Sequence, residues 1–243
     1  MEKVERSRPA DLLGVGERHC NSFEFNLDSL YNGPPTEHVT ETADSLRSLL
    51  ANRAVVRGRI TLTSGTESEY YFDCKRVTLS SEGAPLVAEA VLNAIKTLAE
   101  QPRAIGGLTH GADPIIGAAM MRAAECGIRL DGFYVRKEPK KHGTQRLIEN
   151  APPSGTPVVI VDDVVTKGGS LLQAIDGAEG AGCTVVAVIV LIDRLEGGTE
   201  KVRARVPHAR YIPIFTIKDF LDIEEIKREC TKNSDRLSTA AST

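Results

Sequence analysis

The spacing of apolar residues along the chain separates predicted helices from predicted strands. Val87, Val91 and Ile95 recur every four residues, which predicts an amphipathic helix over residues 83–100. The runs Val158–Val161 and Val185–Ile192 are instead almost continuously apolar. Such runs are typical of strands that are buried on both faces, and they indicate a parallel sheet covered by helices.

From residue 104 onward, predicted strands and helices alternate. The strands are predicted at residues 104–108, 130–135, 157–161, 184–192 and 210–215, and the helices at 114–126, 170–181 and 218–228. Upstream, a helix over 40–52 with Thr40 as its N-cap precedes two short strands at 54–63 and 70–73, and a polar loop covers 136–155. We therefore expect an α/β domain over residues 39–229, an N-terminal extension at 1–38 and a polar tail at 230–243.

Composition and charge narrow the class of protein. The 243 residues carry a net charge of −3 and 41% hydrophobic residues, so we expect no nucleic-acid partner and no membrane partner. The longest strongly apolar run has eight residues, and the N-terminus has no apolar core of a secretory signal. The five cysteines are scattered without zinc-like spacing, which favours reduced thiols and a cytoplasmic protein.

The segment from Val158 to Ser170, VVIVDDVVTKGGS, holds the strongest chemical signal. A buried strand is predicted to end in Asp162 and Asp163, and a Thr/Gly/Ser loop then opens a helix. Backbone N–H groups of such a loop bind phosphate, while the carboxylates suit ribose hydroxyls, directly or through Mg²⁺. The alternative is an ordinary turn with solvated aspartates and Ser170 as a helix N-cap; the whole thirteen-residue pattern favours the phosphate site.

This segment resembles the 5-phosphoribosyl 1-diphosphate (PRPP) signature of type I phosphoribosyltransferases. The resemblance implies the fold of that family, a central, mostly parallel sheet flanked by helices with a small N-terminal hood region. It also implies that the acidic pair contacts the ribose hydroxyls and that the loop binds the 5-phosphate. Mg²⁺ would arrive with PRPP near the acidic pair, with no separate protein metal site. The PRPP-binding residues implied here are Asp162, Asp163, Val164, Val165, Thr166, Lys167, Gly168, Gly169 and Ser170.

A second segment, residues 136–146, is rich in positive charge. It has five Lys or Arg residues against one acid, plus His142, so it is suited to closing over a polyanion. On charge alone, a solvated charge run is the favoured interpretation. The spacing RKxxKxHG, however, resembles the flexible loop of orotate phosphoribosyltransferases. The resemblance implies that Arg136, Lys137, Lys140 and His142 bind PRPP, with Lys140 and His142 as catalytic residues, and that a homodimer shares its active sites.

A third segment, Asp193-Arg194-Leu-Glu196-Gly197, follows the strand VVAVIVLI. Arg194 at the carboxyl end of a strand can grip a carboxylate, while an ion pair with Asp193 or Glu196 is an equally good interpretation of the residues. The segment resembles the "DR.E.G" motif of orotate phosphoribosyltransferases. That resemblance implies that Arg194, together with Thr166, binds orotate.

A fourth segment, residues 62–73, resembles the "SGxxSxYYxD" region of the same enzymes. It implies that Tyr71 and Phe72 contact the pyrimidine, although hydrophobic packing is the alternative for both and at least one of them is expected to pack. Thr63 stands where many members of the family carry a lysine.

A fifth segment, Gly106 to Pro114, is a predicted strand-to-helix turn that resembles the pyrophosphate-side loop of the family. Gly111 occupies a position where some members have a lysine, so any anion bound here would contact backbone N–H groups. For Asp113, we favour a role as the helix N-cap before Pro114.

Together these resemblances imply a pentosyltransferase that moves the 5-phosphoribosyl group of PRPP to orotate, giving orotidine 5′-monophosphate and pyrophosphate in pyrimidine biosynthesis. Two alternatives remain: transfer to another nucleobase, and a non-catalytic PRPP-sensing regulator on the same fold. Arg194 and the RKxxKxHG loop argue against another base, because purines and uracil lack the carboxylate of orotate. Residues 1–38 are too short and irregular for a DNA-binding module, which argues against a regulator.

Overall fold

The computed structural model describes residues 35–61, 67–138 and 147–221. The helices are α1 (Pro35–Arg53), α2 (Lys75–Thr78), α3 (Gly83–Lys96), α4 (Asp113–Glu125), α5 (Gly169–Gly180) and α6 (Gly198–Arg205), with a 3₁₀ turn at Ile217–Asp219. The strands are β1 (Val55–Thr61), β2 (Glu67–Phe72), β3 (Ala104–Leu108), β4 (Asp131–Val135), β5 (Ile148–Glu149), β6 (Pro157–Val165), β7 (Thr184–Asp193) and β8 (Arg210–Thr216).

The main sheet has six strands in the order β5-β4-β3-β6-β7-β8. The pairings β4–β3, β3–β6, β6–β7 and β7–β8 are parallel, and the short edge strand β5 is antiparallel to β4. Strands β1 and β2 form a separate antiparallel hairpin. The prediction of a central, mostly parallel sheet flanked by helices is confirmed.

The apolar run of β6 shows why this sheet is buried on both faces. Val159 and Val161 join one core cluster, which also contains the side chains of α1, α3 and α4. Val158 and Ile160 join a second cluster with the apolar side chains of α5 and Val202 of α6. Because successive strand residues face opposite sides, an unbroken apolar strand needs helices on both faces.

The hairpin is attached to the far end of the sheet by aromatic packing. The ring of Phe220 contacts Phe72 of β2 and Phe215 of β8, each with 5.6 Å between ring centroids and a steep angle between the rings. This edge-to-face arrangement is favoured for aromatic pairs. This packing places the carboxyl end of β2 beside the carboxyl end of β8.

Several predicted boundaries differ from the observed ones. Helix α1 begins at Pro35, so residues 35–38, which we assigned to the extension, are helical, and Thr40 is not an N-cap. Proline is well tolerated in the first turn of a helix, so Pro35 can begin α1 ahead of the predicted start at Thr40. Helix α3 ends at Lys96, four residues before the predicted end.

The short elements α2, β5 and α6 carry too little periodic signal to be predicted. β5 has two residues, and α6 places few apolar residues on its buried side. Of the helix predicted at 218–228, the described part is a 3₁₀ turn at Ile217–Asp219, and the segment from 222 lies outside the described residues. Among the described helices, none combines the length and apolarity required to span a membrane.

The sheet contains one topological switch point. The chain proceeds from β3 to β4 on one side and from β6 to β7 on the other, so β3 and β6 are adjacent strands whose connections diverge. In open α/β sheets a crevice forms at such a point, beyond the carboxyl ends of the strands. The turns that follow β3 and β6 therefore border the expected binding crevice.

Candidate active site

The acidic pair, Asp162 and Asp163, lies inside β6. The strand was predicted to end at residue 161, but it continues to Val165. Its last residues pair with β7 alone, because its described pairing with β3 stops at Gly106–Ile160. Asp162 and Asp163 therefore lie in a strand segment that has lost its neighbour on the crevice side. This step in the sheet allows carboxylates within a strand to line the crevice.

Backbone N–H groups fix both carboxylates. The N–H of Asp163 donates to Oδ1 of Asp162 at 3.0 Å, and the N–H of Val164 donates to Oδ1 of Asp163 at 2.9 Å. Asp162 is buried, and this burial, together with the neighbouring Asp163 charge, raises the pKa of its carboxyl well above the ordinary value. The pair is thus a pre-oriented and partly desolvated group of oxygen acceptors.

The turn after β3 closes directly on the acidic pair. A Cβ atom at Gly111 would lie 2.5 Å from Oδ1 of Asp162 and 2.5 Å from Oδ1 of Asp163, so only glycine fits beside them. The Thr109–His110 peptide bond in this turn is cis. The turn therefore forms one wall of the crevice with its backbone alone.

Asp113 does not cap α4, contrary to our interpretation of the sequence. Ala112 is the N-cap and makes no side-chain capping bond, and Asp113 is the first helical residue. Its Oδ2 lies 3.2 Å from Nδ1 of His110. Asp113 therefore pairs with the neighbouring imidazole and does not cap the helix N–H groups.

Lys75 is a crevice residue that the sequence analysis missed. It begins the single-turn helix α2, just after β2, and its Nζ lies 3.3 Å from Oδ2 of Asp163. Burial lowers the pKa of Lys75, but the Asp163 carboxylate more than offsets this and raises it overall. A lysine directly after the aromatic strand was the available signal, although the sequence does not show which acid it meets.

The loop after β6 has the form expected of a phosphate-binding turn. Gly168 is the N-cap of α5 with a φ of 80°, so the role of N-cap that we considered for Ser170 is excluded. A Cβ atom at Gly168 would lie 3.1 Å from the carbonyl oxygen of Gly198. Lys167, Gly169 and Ser170 are exposed at the start of the helix, where N–H groups and the helix dipole favour an anion.

Arg194 directly follows the last residue of β7 and lies beside this loop. Asp193 is paired with Val165, and the N–H of Arg194 donates to the Val165 carbonyl at 3.0 Å, so Arg194 and Thr166 lie at the same level of neighbouring strands. The Arg194 side chain is only 3% exposed, and its guanidinium pairs with Glu196 at 2.8 Å. The ion pair that the sequence left open is therefore present in this conformation.

A buried carboxylate holds the loop that carries Arg194. Asp193 accepts hydrogen bonds from the N–H of Leu195 at 2.8 Å, from the Tyr211 hydroxyl at 3.1 Å and from the Thr199 hydroxyl. Burial, and secondarily the Asp193 charge, raises the pKa of Tyr211, so its phenol remains a donor. This network joins β7, α6 and β8 behind the crevice, and no motif indicated it.

The two aromatic residues of β2 have different environments. Tyr71 is 40% exposed, whereas Phe72 is buried in the core and contacts Phe220. Phe72 therefore takes the packing role that the sequence allowed for one of the pair. Thr63 and the neighbouring turn, residues 62–66, lie outside the described residues.

The segment rich in positive charge, residues 136–146, is called the cationic loop below. It begins beside the Thr109–His110 turn. Arg136 and Lys137 line a cavity of about 630 Å³ together with His110, Asp113 and Met120. Arg136 pairs with Glu149 at 3.2 Å, and the Gln173 amide of α5 donates to the Lys137 carbonyl at 2.9 Å. Residues 139–146, including Lys140 and His142, lie outside the described residues.

The chemistry of the crevice suits a phosphorylated sugar. Acidic oxygens stand at its floor, a phosphate-type loop begins on one side, and a glycine turn closes the other. Within the described ranges, no group of three or more His, Cys, Asp or Glu side chains is arranged as a metal site. Residues 79–207 match the family model of the phosphoribosyl transferase domain. The fold and the crevice thus define a phosphoribosyltransferase.

Similar proteins narrow the class further. The chain is 43% identical over 172 residues to the orotate phosphoribosyltransferase of Streptomyces coelicolor, which covers 70% of this chain and 93% of that protein. The crystal structure of Mycobacterium tuberculosis H37Rv orotate phosphoribosyltransferase with Fe(III) dicitrate has a TM-score of 0.64 and 36% identity, covering 74% of this chain and 98% of that one. The same enzyme in complex with PRPP has a TM-score of 0.62 and 32% identity, with the same coverage.

The chain belongs to the orotate phosphoribosyltransferase family. Its activity is the transfer of the 5-phosphoribosyl group from PRPP to orotate, a pentosyltransferase reaction of pyrimidine biosynthesis.

Proposed function

We propose that the transfer takes place in the crevice between β3 and β6, with the acidic pair as its centre. The observation that carries this proposal is the placement of Asp162 and Asp163 at the step in the sheet, against the Gly111 turn. The carboxylates accept hydrogen bonds from the ribose hydroxyls of PRPP. The 5-phosphate is bound by the loop Thr166–Ser170, whose helix α5 presents unpaired N–H groups and a positive dipole end.

Mg²⁺ fits the donor set of this crevice. Carboxylate oxygens are the ligands that Mg²⁺ prefers, and it usually binds through one or two of them together with substrate phosphates. Asp162 and Asp163 would hold it in this way, with PRPP supplying further oxygens. When bound, Mg²⁺ supplies Lewis-acid stabilisation of the leaving pyrophosphate.

The orotate subsite lies between the ends of β6 and β7 in this proposal. Arg194 binds the carboxylate of orotate, which replaces Glu196 as the partner of the guanidinium. Thr166 donates from the neighbouring strand end, and Tyr71 offers its exposed ring to the pyrimidine, whereas Phe72 is buried in the core. A buried arginine suits this task, because an ion pair in a desolvated site discriminates strongly between substrates with and without a carboxylate.

The reaction needs no protein nucleophile. Pyrophosphate departs from C1 of the ribose, an oxocarbenium-like centre develops, and the orotate ring nitrogen attacks from the opposite face as its proton passes to pyrophosphate or water. The chain positions both substrates and stabilises the developing charge on pyrophosphate. Lys140 and His142, on the loop that begins at Arg136 and Lys137, would add positive charge to that stabilisation and exclude water.

The protein is proposed to act as a homodimer with shared active sites. Exposed apolar side chains on α4 and β4 support this, since Met121 is 69% exposed and Tyr134 38% exposed. Tyr134 also lines the cavity that contains Arg136 and Lys137, so the cationic loop begins beside this exposed ring. Mixing inactive Lys140→Ala chains with inactive Asp163→Asn chains should restore activity, because one mixed site then has both residues. No recovery in the mixture would contradict the shared site.

A cytoplasmic location is proposed from the cysteines. Cys74, Cys126 and Cys183 are free thiols in the described residues, and the first and third are buried. Reduced thiols persist in the cytoplasm and are rare in oxidising compartments.

A spectrophotometric assay tests the proposed function. With Mg²⁺ and PRPP, the purified protein should deplete the absorbance of orotate, and Lys140→Ala should lower kcat by at least about 100-fold while the far-UV circular dichroism is unchanged. Consumption of adenine or uracil but not orotate would favour transfer to another base. A Lys140→Ala variant with wild-type kcat would remove the loop from the mechanism.

A further inference from the structure

Lys75 and the Gly111 turn lie next to different oxygens of Asp163. Its Nζ lies 3.3 Å from Oδ2 of Asp163, while Oδ1 of the same carboxylate is 2.5 Å from the position of a Cβ atom on Gly111. One carboxylate thus lies between a backbone wall and a side-chain cation. The Lys75 side chain is 43% exposed, so its ammonium is both paired and open to the crevice.

The other contacts of Asp163 leave this oxygen to Lys75. Oδ1 accepts the N–H of Val164 at 2.9 Å, which fixes one end of the carboxylate. Oδ2, the other oxygen, is the one that the Lys75 ammonium contacts. The carboxylate is therefore oriented by two groups that are far apart in the sequence, one from β6 and one from α2.

Besides orienting Asp163, a positive charge beside the acidic pair has a second role, which concerns the charge of the substrate. PRPP is a polyanion, and two adjacent carboxylates repel it, so a side-chain cation beside them adds to the charge that Mg²⁺ brings with PRPP. Gly111 cannot provide a side chain, because any Cβ would overlap both carboxylates. In the described residues, the side-chain ion pair made by this acidic pair is the one with Lys75.

We propose that Lys75 is a positioning residue for PRPP: its ammonium holds Asp163 in the orientation that binds the ribose and offsets the charge of the acidic pair as the diphosphate enters. The proposal rests on the proposed role of the acidic pair in PRPP binding. It assigns Lys75 to the PRPP step and not to the orotate step.

Calorimetric titration of the full chain with Mg²⁺ and PRPP, in the absence of orotate, tests this role. Lys75→Met keeps the length of the side chain and removes its charge, and it should raise the Kd for PRPP by about tenfold or more, because a charge-assisted contact is lost. Lys75→Arg restores the charge and should remain within about threefold of wild type. In steady-state kinetics, the KM for PRPP should rise in Lys75→Met while the KM for orotate stays unchanged.

Arg76→Met is the matched control. Arg76 lies on the same helical turn and is exposed, and it pairs with Asp73 at 3.0 Å instead of the acidic pair. The variant loses the same charge from the same turn, so its Kd for PRPP should stay within about twofold of wild type if contact, rather than overall charge, is responsible.

The outcomes separate this inference from the proposed function. If wild type does not bind PRPP, the proposed function fails; if wild type binds it and Lys75→Met binds equally well, only the role of Lys75 fails. An equal loss in Arg76→Met would replace the positioning role with a general charge effect and overturn it. Lys75→Gln repeats the test with a different neutral side chain, and failure of both neutral variants to fold would make Lys75 structural and also overturn the proposal.

Discussion

The two strand-to-helix turns that border the crevice are alike in local sequence and different in what they tolerate. The β3–α4 turn, residues 109–112, presses Gly111 against two carboxylates, and the contact leaves no room for a methyl group. The β6–α5 turn, residues 166–168, needs glycine because Gly168 has a φ of 80° and lies near the backbone of Gly198. The first glycine is required by its neighbours and the second by its own backbone, so substitutions should affect catalysis in the first turn and stability in the second.

Gly111→Ala tests the first half of this comparison and should have the largest effect. The added methyl must displace Asp162 or Asp163, and a misplacement on the order of 1 Å typically costs about 100-fold in rate, so kcat/KM should fall by about that factor. Gly180→Ala is the control, because nothing lies within 4 Å of a Cβ atom at that position of α5. A Gly111→Ala enzyme with near wild-type kcat/KM and a normal Tm would show that the acidic pair needs no fixed placement.

Asp193→Asn tests the support behind the second turn. The buried carboxylate holds the loop that carries both Arg194 and Gly198, and the neutral amide weakens bonds from Leu195, Tyr211 and Thr199. We expect unfolding by urea to show a loss of about 2 kcal/mol, with a raised KM for orotate. Tyr211→Phe removes one of the three donors and should cost about 1 kcal/mol. Equal losses in the two variants would mean that the network does not act through Asp193.

Gly168→Ala tests the second half of the comparison directly. A left-handed φ costs a non-glycine residue about 1–2 kcal/mol, so the free energy of unfolding should fall by that amount. The adjacent Gly169→Ala is the matched variant, since its Cβ would meet no atom within 4 Å and its φ is not left-handed. Alanine at the start of α5 should leave stability unchanged or raise it by up to about 1 kcal/mol. Equal changes in stability in Gly168→Ala and Gly169→Ala would contradict the claim that the second turn needs glycine for its backbone conformation.

Asp162→Asn should raise the stability of the protein, whereas Asp193→Asn and Gly168→Ala lower it, and the change should be smaller. Burial, and then the Asp163 charge, raises the pKa of this carboxyl above its ordinary value of 3.8, so the folded protein holds its proton to higher pH than the unfolded chain does. The resulting stability is complete below the ordinary pKa and is lost as pH rises through the folded pKa. Above its ordinary pKa, this buried carboxyl therefore lowers the stability of the folded protein relative to low pH.

The asparagine variant removes that cost, and its Tm should exceed that of wild type at pH 7.5, by about 2–4 °C for each kcal/mol. The advantage should shrink as pH approaches 4, and PRPP binding should be weakened at every pH. A variant that is less stable than wild type at neutral pH would contradict a destabilising role for the buried Asp162 carboxyl.

The sequence predicted what depends on local pattern. The observed bounds of β3 match the predicted ones, because the strand is a short buried run between breakers, and the loop after β6 was located by its spacing of acids, hydroxyls and glycines. The step in the sheet was not predictable, because it depends on where β3 stops beside β6. That step moves the acidic pair from the end of the strand to its interior.

Contacts between distant residues account for the rest. Lys75 and Asp163 are 88 positions apart, and no periodicity or motif links them. The same holds for Gly111 against the acidic pair and for Tyr211 against Asp193. Arg194 was predicted as a site residue from its motif, but its burial and its pair with Glu196 are visible only in the fold. Motifs can suggest the residues of a site, while the partners of those residues require the fold.

The central claim is that the acidic pair at the β3–β6 switch point binds PRPP. Calorimetric titration with Mg²⁺ and PRPP of wild type, Asp163→Asn and Asp131→Asn measures this most directly. Asp131 is an exposed residue at the opposite end of the sheet, paired with Arg129 at 3.5 Å, and its substitution should leave the Kd unchanged. Asp163→Asn should raise the Kd by about 100-fold, since charge-assisted bonds to the ribose are lost. An Asp163→Asn protein that binds PRPP as tightly as the Asp131→Asn control would contradict the account.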